Sequence, residues 1–209
     1  MSPKVKINEN VEVIEFDASQ EIKLQAPKIG KAHVHIVGLS PLLCDRMDPD
    51  YLTGKKKPPK EPKLKFPLCH YSTLDGQYGF PAQGLKTSLV DASRRTGKKM
   101  IDMRGIIWVI ADCPETNLIV LEAAPPAMQV DVVSPKPGQK NLATSAKFWP
   151  WEMTFKLEWS IGDLSESEMV GQIIAAGEYV GIGYRRVLSG DNRRLGRFRL
   201  ESMTARLET

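Results

Sequence analysis

The chain has 209 residues, 42% hydrophobic and 26% charged, with 29 Lys and Arg against 25 Asp and Glu, a formal charge of +4. Such a chain is long enough for one domain with a real core, and its composition excludes disorder throughout. A net charge this small excludes no class of partner, so the placement of the charges carries the information.

Residues 1–30 contain a short alternating run, "VEVIEF", and read as an N-terminal arm or strand that is comparatively acidic up to Gln25. No apolar leader opens the sequence and no stretch approaches a membrane span, so a cytoplasmic protein without membrane contact is expected. "AHVHIVGLSPLL" then alternates, with Ala32, Val34 and Ile36 on one face and His33, His35 and Val37 on the other, the pattern of a strand.

From Asp45 to Pro67 the chain holds five prolines and seven Lys or Arg with no apolar period, which predicts a long mobile loop inserted at 45–67. Its segment "GKKKPPKEPKLK" sets six lysines against one glutamate. Such a loop can serve only to stay soluble, or can clamp a polyanion through residues such as Lys55, Lys56 and Lys57.

"GFPAQGLKTSLVDASRRTGK" follows, with Leu85, Leu89 and Ala92 at helical spacing and Gly97 placed as a stop. A helix from about Ala82 to Thr96 is predicted. "MRGIIWVIADCPETNLIVLEA" has two β-branched runs around "DCPETN", which predicts a hairpin. "MQVDVVS" is read as a possible extension of the sheet and "SPKPGQKN" as a turn-rich connection. "WEMTFKLEWS" alternates most cleanly of all, placing Met153, Phe155, Leu157 and Trp159 on one face. Ser165 and Glu168 form a capping box ahead of Met169, Val170, Ile173, Ile174, Gly177 and Val180, which predicts a second helix.

That helix runs into "GIGYRRVLSGDNRRLGRFRL", with six arginines, four glycines and one acidic residue. A strand closes the chain. Two strand–helix–strand halves in succession predict an α+β, modified ferredoxin-like fold, with an antiparallel sheet and two helices on one face.

Arg185, Arg186, Arg193, Arg194 and Arg197 in the glycine-arginine loop could grip phosphates with forked hydrogen bonds. The alternative is that they pair with the chain's own carboxylates, and few of those lie nearby in sequence. Tyr184 in the loop, Tyr78 and Phe80 before the first helix, and Phe148, Trp149 and Trp151 after Lys147 place rings among the charges, as in grooves that hold single strands. For Trp149, Trp151 and Phe198 a place in the core is the favoured reading.

Cys44, Cys69 and Cys113 are too few and too scattered for a zinc site and read as free thiols. His33 and His35 lack a third ligand, so neither a metal nor a cofactor is expected. His70 is the one weak catalytic candidate, as a general base for RNA cleavage, with an exposed loop histidine as the favoured alternative. No phosphate-loop, nucleophile-elbow or zinc-protease motif is present.

Two stretches resemble a known family. "GFPAQGLKTSLVDASRR" resembles the "IPGSSLKGxLR" helix of the RAMP superfamily, RNA-binding proteins of CRISPR effector complexes. "GIGYRR" through "GRFRL" is similar to that superfamily's C-terminal glycine-rich loop. From about Lys31 to Leu200 the chain also resembles a group of tailed-bacteriophage proteins. It departs from the superfamily at Gln83-Gly84, where a serine pair is preferred, and in "SGDNRRLGRF", which has fewer glycines. The resemblance implies a single RAMP-like domain over 31–209, with RNA-backbone contacts at Lys86, Arg94 and Arg95 on the helix and at Arg185, Arg186, Arg193 and Arg194 in the loop. It carries over no catalytic residue. The expected function is a non-enzymatic, phage-encoded protein that assembles as a homo-oligomer or filament along single-stranded RNA or DNA. An assembly protein that binds an acidic partner such as a host defence factor, and a metal-independent RNA endonuclease, are the alternatives.

Overall fold

A computed structural model describes residues 28–46, 48–57, 59–136, 139–189 and 192–207. The arm expected over 1–30 lies, up to residue 27, outside the described residues. The main sheet contains β1 (Ile29–Gly38), β5 (Ile107–Ile110), β10 (Trp151–Ser160) and β11 (Phe198–Leu207). Its order is β11–β1–β10–β5, antiparallel throughout, with β7 (Glu122–Ala123) beside the start of β10. With α3 (Ala82–Thr96) between β1 and β5, and α5 (Glu166–Ala175) between β10 and β11, this is the ferredoxin-like order.

Alternation decides which face of the sheet is covered. Ala32, Val34 and Ile36 of β1 and Met153, Phe155, Leu157 and Trp159 of β10 are buried with Leu85, Leu89 and Ala92 of α3 and Met169, Ile173 and Ala175 of α5 in one core. Each of the larger side chains contributes about 2 kcal/mol by leaving water. The Trp159 indole donates to the Leu164 carbonyl at 2.9 Å, so its one polar atom is satisfied.

Both predicted helices form. Gly97 ends α3 in the left-handed region at φ 75°, and the Ser165–Glu168 capping box opens α5. Past Ala175 the second helix widens into a π turn, Ala176–Val180. The buried Gln172 joins the helices, donating to the Leu89 carbonyl and accepting from Thr96 Oγ1 at 2.6 Å.

Four expectations are corrected. The first predicted strand is two, because the chain leaves the main sheet after Gly38 and resumes as β2 (Leu42–Cys44) in a second sheet, where it pairs with β9 (Gln139–Phe148) and β9 in turn with β8 (Ala127–Lys136). The apolar runs around "DCPETN" meet at a single antiparallel bridge, Cys113–Leu118, and do not continue as a hairpin. The first begins as the last turn of α4 (Met100–Ile106) and then joins β10 as β5, whereas β6 (Leu118–Val120) pairs with β4 (Tyr78–Pro81), which also pairs with β3 (Tyr71–Ser72). The supposed connection "SPKPGQKN" lies within a long hairpin of β8 (Ala127–Lys136) and β9 (Gln139–Phe148). The insertion, for its part, is anchored. It carries short helical turns α1 (Pro49–Leu52) and α2 (Pro62–Lys65), Phe66 packs on the core, and Lys65 Nζ reaches Asp45 Oδ1 at 3.1 Å and the Thr144 carbonyl at 3.3 Å.

Among the described residues no helix is long and apolar enough to cross a membrane.

At Gly196, φ is +68° and an added Cβ would run into the Ile182 carbonyl, whereas Gly54, at φ +72°, has nothing within 4 Å. Gly196→Ala is expected to lose at least about 3 kcal/mol in urea unfolding and Gly54→Ala only about 1 kcal/mol. Equal losses would count against this packing.

Candidate nucleic-acid interface

The glycine-arginine loop follows the π turn and lies between α3, β2 and the β8–β9 hairpin. At Gly183, φ +86°, a Cβ would sit 2.5 Å from the Leu43 carbonyl oxygen. Without that side chain, the next amide, of Tyr184, donates to the same carbonyl at 2.7 Å. On the return the Ile182 amide donates to Gly196 at 2.9 Å and the Gly196 amide to Pro41 at 2.9 Å. The Ser88 hydroxyl of α3 donates to the Gly181 carbonyl at 2.8 Å. These glycines therefore serve the chain's own backbone contacts.

The loop arginines meet carboxylates that are distant in sequence. Arg193 grips Asp131 with two hydrogen bonds of 3.0 Å, and Arg185 donates to the same carboxylate at 2.9 Å. Arg186 pairs with Asp91 of α3 at 2.6 Å. Arg197 hydrogen-bonds Glu178 of the π turn, and Arg194 stands 3.9 Å from the same carboxylate. The expected scarcity of acidic partners holds along the chain and fails in space. Asp131, Asp91 and Glu178 escaped sequence reasoning because each comes from a separate element.

The helix residues separate. Arg95 follows Lys86 by nine positions, which is about 13 Å of axis and about two and a half turns, so the two lie on opposite sides of the helix. Arg95 lies over the exposed Tyr179 ring at 5.4 Å, and Arg94 Nε donates to Met100 Sδ at 3.0 Å. Lys86 is half-buried. Lys55, Lys56 and Lys57 are exposed on the insertion, where Lys56 pairs with Asp50 at 2.9 Å.

A cleft of about 310 Å³ lies where the base of the insertion, the start of α3 and the loop converge. Tyr71, Phe80, Pro81 and Tyr184 give it apolar walls, and Asp45, Thr87 and Arg186 are its polar groups. Of these, Tyr184 and Arg186 stood among the candidate binding residues, and Phe80 among the rings noted beside the charges. Both ends of the insertion close on this cleft, through the Asp45–Lys65 pair and the Arg46 amide donating to Cys69 at 3.0 Å.

The remaining candidates fall outside the cleft. His70 is half-buried, not exposed. It packs edge-on against Tyr78 with centroids 5.5 Å apart, its Nδ1 is buried without a hydrogen-bond partner among the described residues, and burial with the charge of Arg46 lowers its pKa. Trp151 and Phe198 are core residues, but Trp149 is 49% exposed, which corrects the core reading for that ring. Burial pushes the Cys44 thiol up to about 12 and that of Cys69 to about 11, so both are inert near neutrality. Among the described residues no three His, Cys, Asp or Glu gather to hold a metal.

No protein-family model matches the chain, and no curated protein matches it. Among solved structures it is similar to a chain of the Type III-B Cmr-beta bound to cognate target RNA, at 12% identity and a TM-score of 0.41, over 86% of this chain and 61% of that one. It is also similar to a chain of the Csm3–Csm4 subcomplex of the type III-A CRISPR-Cas interference complex, at 12% identity and a TM-score of 0.37, over 87% and 80%. The chain thus spans 61% of the length of the first of these.

Hydrogen bonds from Lys98 and from the Ser165 amide hold the Glu168 carboxyl at about 2, and those from Arg193 do most to lower that of Asp131. Both groups stay ionised in the folded chain at pH values where the unfolded chain binds protons. Their stabilisation is therefore complete above the ordinary carboxylate range and is lost as pH falls through the folded values. The thermal midpoint should fall between about pH 5 and pH 2, and more gently in Asp131→Asn/Glu168→Gln. Parallel profiles would place the acid sensitivity elsewhere.

Proposed function

We propose that this protein binds single-stranded nucleic acid, RNA or DNA, without catalysing a reaction on it, and that copies assemble along the strand. One observation carries the proposal. Lys55, Lys57, Lys60 and Lys63 are exposed with no carboxylate partner among the described residues, on an insertion whose two ends close on an aromatic cleft. The lysines suit a phosphate backbone, and Tyr71 and Tyr184 offer faces against which a base stacks. The cleft is too small for a duplex and has room for a base with its sugar. Arg186, fixed by Asp91, lies at its edge.

Self-association is supported by an apolar stripe on the hairpin. Met128, Val130 and Val132 alternate along β8, with Leu142 opposite Val132, and they are 36–63% exposed. A stripe of this kind on an edge strand is a surface that another chain would cover.

Fluorescence anisotropy with labelled single-stranded RNA, single-stranded DNA and duplex DNA at two salt concentrations tests the reading. Single strands should bind more tightly than duplex, with affinity falling steeply in salt. Lys55→Ala/Lys57→Ala/Lys60→Ala should flatten the salt slope by roughly 0.7 for each phosphate left without its lysine. Tyr184→Ala should weaken binding about tenfold at either salt. No binding to any of the three at low salt would sink the proposal.

A further inference from the structure

The pairing of Arg185 and Arg193 differs in kind from the other ion pairs of the loop. Arg186 and Asp91 meet one to one, with side chains only 21% and 12% exposed, and fasten the loop to α3. Asp131, by contrast, is shared. Arg193 takes both of its oxygens in a fork and Arg185 adds a bond to Oδ2, while the Arg193 side chain remains 39% exposed to solvent against 14% for Asp131. The carboxylate thus presents to Arg193 what a phosphate diester presents, a single negative charge over two oxygens at the spacing a guanidinium fork matches.

We propose that Asp131 is a resident stand-in for a phosphate, occupying a diester site formed by Arg185 and Arg193 that the nucleic-acid backbone enters by displacing it. The inference rests on the nucleic-acid reading and adds a built-in competitor to it. Two further features agree. Arg185 and Arg194, each beside another arginine of the loop, hold positive φ values of 56° and 51°, a conformation that costs a residue with a side chain about 1 kcal/mol and persists only where surrounding contacts enforce it. Asp131 also lies on β8, the edge strand of its sheet, so its side chain can let go without disturbing the main core. In the unbound protein the competitor lowers apparent affinity by the fraction of molecules whose arginines are engaged, and it favours ligands that bring a phosphate to both guanidiniums.

The test compares wild type, Asp131→Asn and Asp163→Asn, the latter an exposed carboxylate on the turn after β10, for binding labelled single-stranded RNA and DNA over a salt series. Asp131→Asn should bind about fivefold tighter than wild type, with a slope steeper by about 0.7 for each phosphate newly neutralised. Asp163→Asn changes net charge equally and should show no such gain. An equal gain in both variants, or none in a folded Asp131→Asn, overturns the competitor while leaving the nucleic-acid reading intact. No binding by wild type overturns both. Should Asp131→Asn fail to fold, hydrogen exchange on wild type decides. Adding RNA should increase exchange at the β8 amides around Asp131 while slowing it at residues 184–186, and greater protection at both would overturn the displacement.

Discussion

Close backbone approach at Gly183 and Gly196 is the constraint on which the rest of the site depends. With no side chain at either position, the loop hydrogen-bonds to β2 on its way out, through Tyr184 and Leu43, and to Pro41 and Ile182 on its way back. Those bonds tie the second sheet to the end of the main one. They also fix the starting points of the arginine side chains before any charge is considered. Surface ion pairs contribute about 0–1 kcal/mol each, too little to hold such a loop unaided. Backbone packing sets its path, and the carboxylates decide only where each guanidinium points.

The positive charge of the molecule accordingly falls into two kinds. The loop arginines are oriented by Asp91, Asp131 and Glu178, so their forks are held in place. Most of the insertion lysines are solvated, and the two ends of the segment are held down, by Lys65 on Asp45 and by the backbone bond from Arg46 to Cys69. Lysine suits the second setting, being a compact charge on a flexible stem, and arginine the first, where planar geometry is exploited. The sequence segregates the two residue types in the same way.

Legibility followed the range of the interactions. α3, α5 and β10 were readable because periodicity, a glycine stop and a capping box are written within a few residues of each other. The β8–β9 hairpin was not, since Pro135 and the polar "SPKPGQKN" read as a connection, and an edge strand tolerates a proline that a central one would not. The runs around "DCPETN" were rightly apolar and wrongly paired, because their partners lie in different sheets. Of the site, the arginines, Tyr184 and the lysines were visible by composition. Their carboxylate partners were not, although a lone charge within the β-branched run "MQVDVVS" is the local signal that would have pointed to Asp131. Trp149 shows the converse case, for a ring beside two buried neighbours, Phe148 and Trp151, faces solvent.

On the proposed function, these two kinds of charge act at different ranges. Screening confines exposed charges to about 10 Å at moderate salt, so the outlying lysines of the insertion meet an approaching strand before the arginines do. Solvated lysines lose little by changing partners, which suits capture and rearrangement. The arginines are already bonded, and a phosphate gains from them only if it matches the geometry that Asp91 and Asp131 enforce. Capture then depends on charge alone, whereas retention depends on shape. Selectivity for a single strand comes from retention, because only an unpaired base can leave its neighbours and enter a cleft walled by Tyr71, Phe80 and Tyr184 while its phosphate stays within reach of the loop.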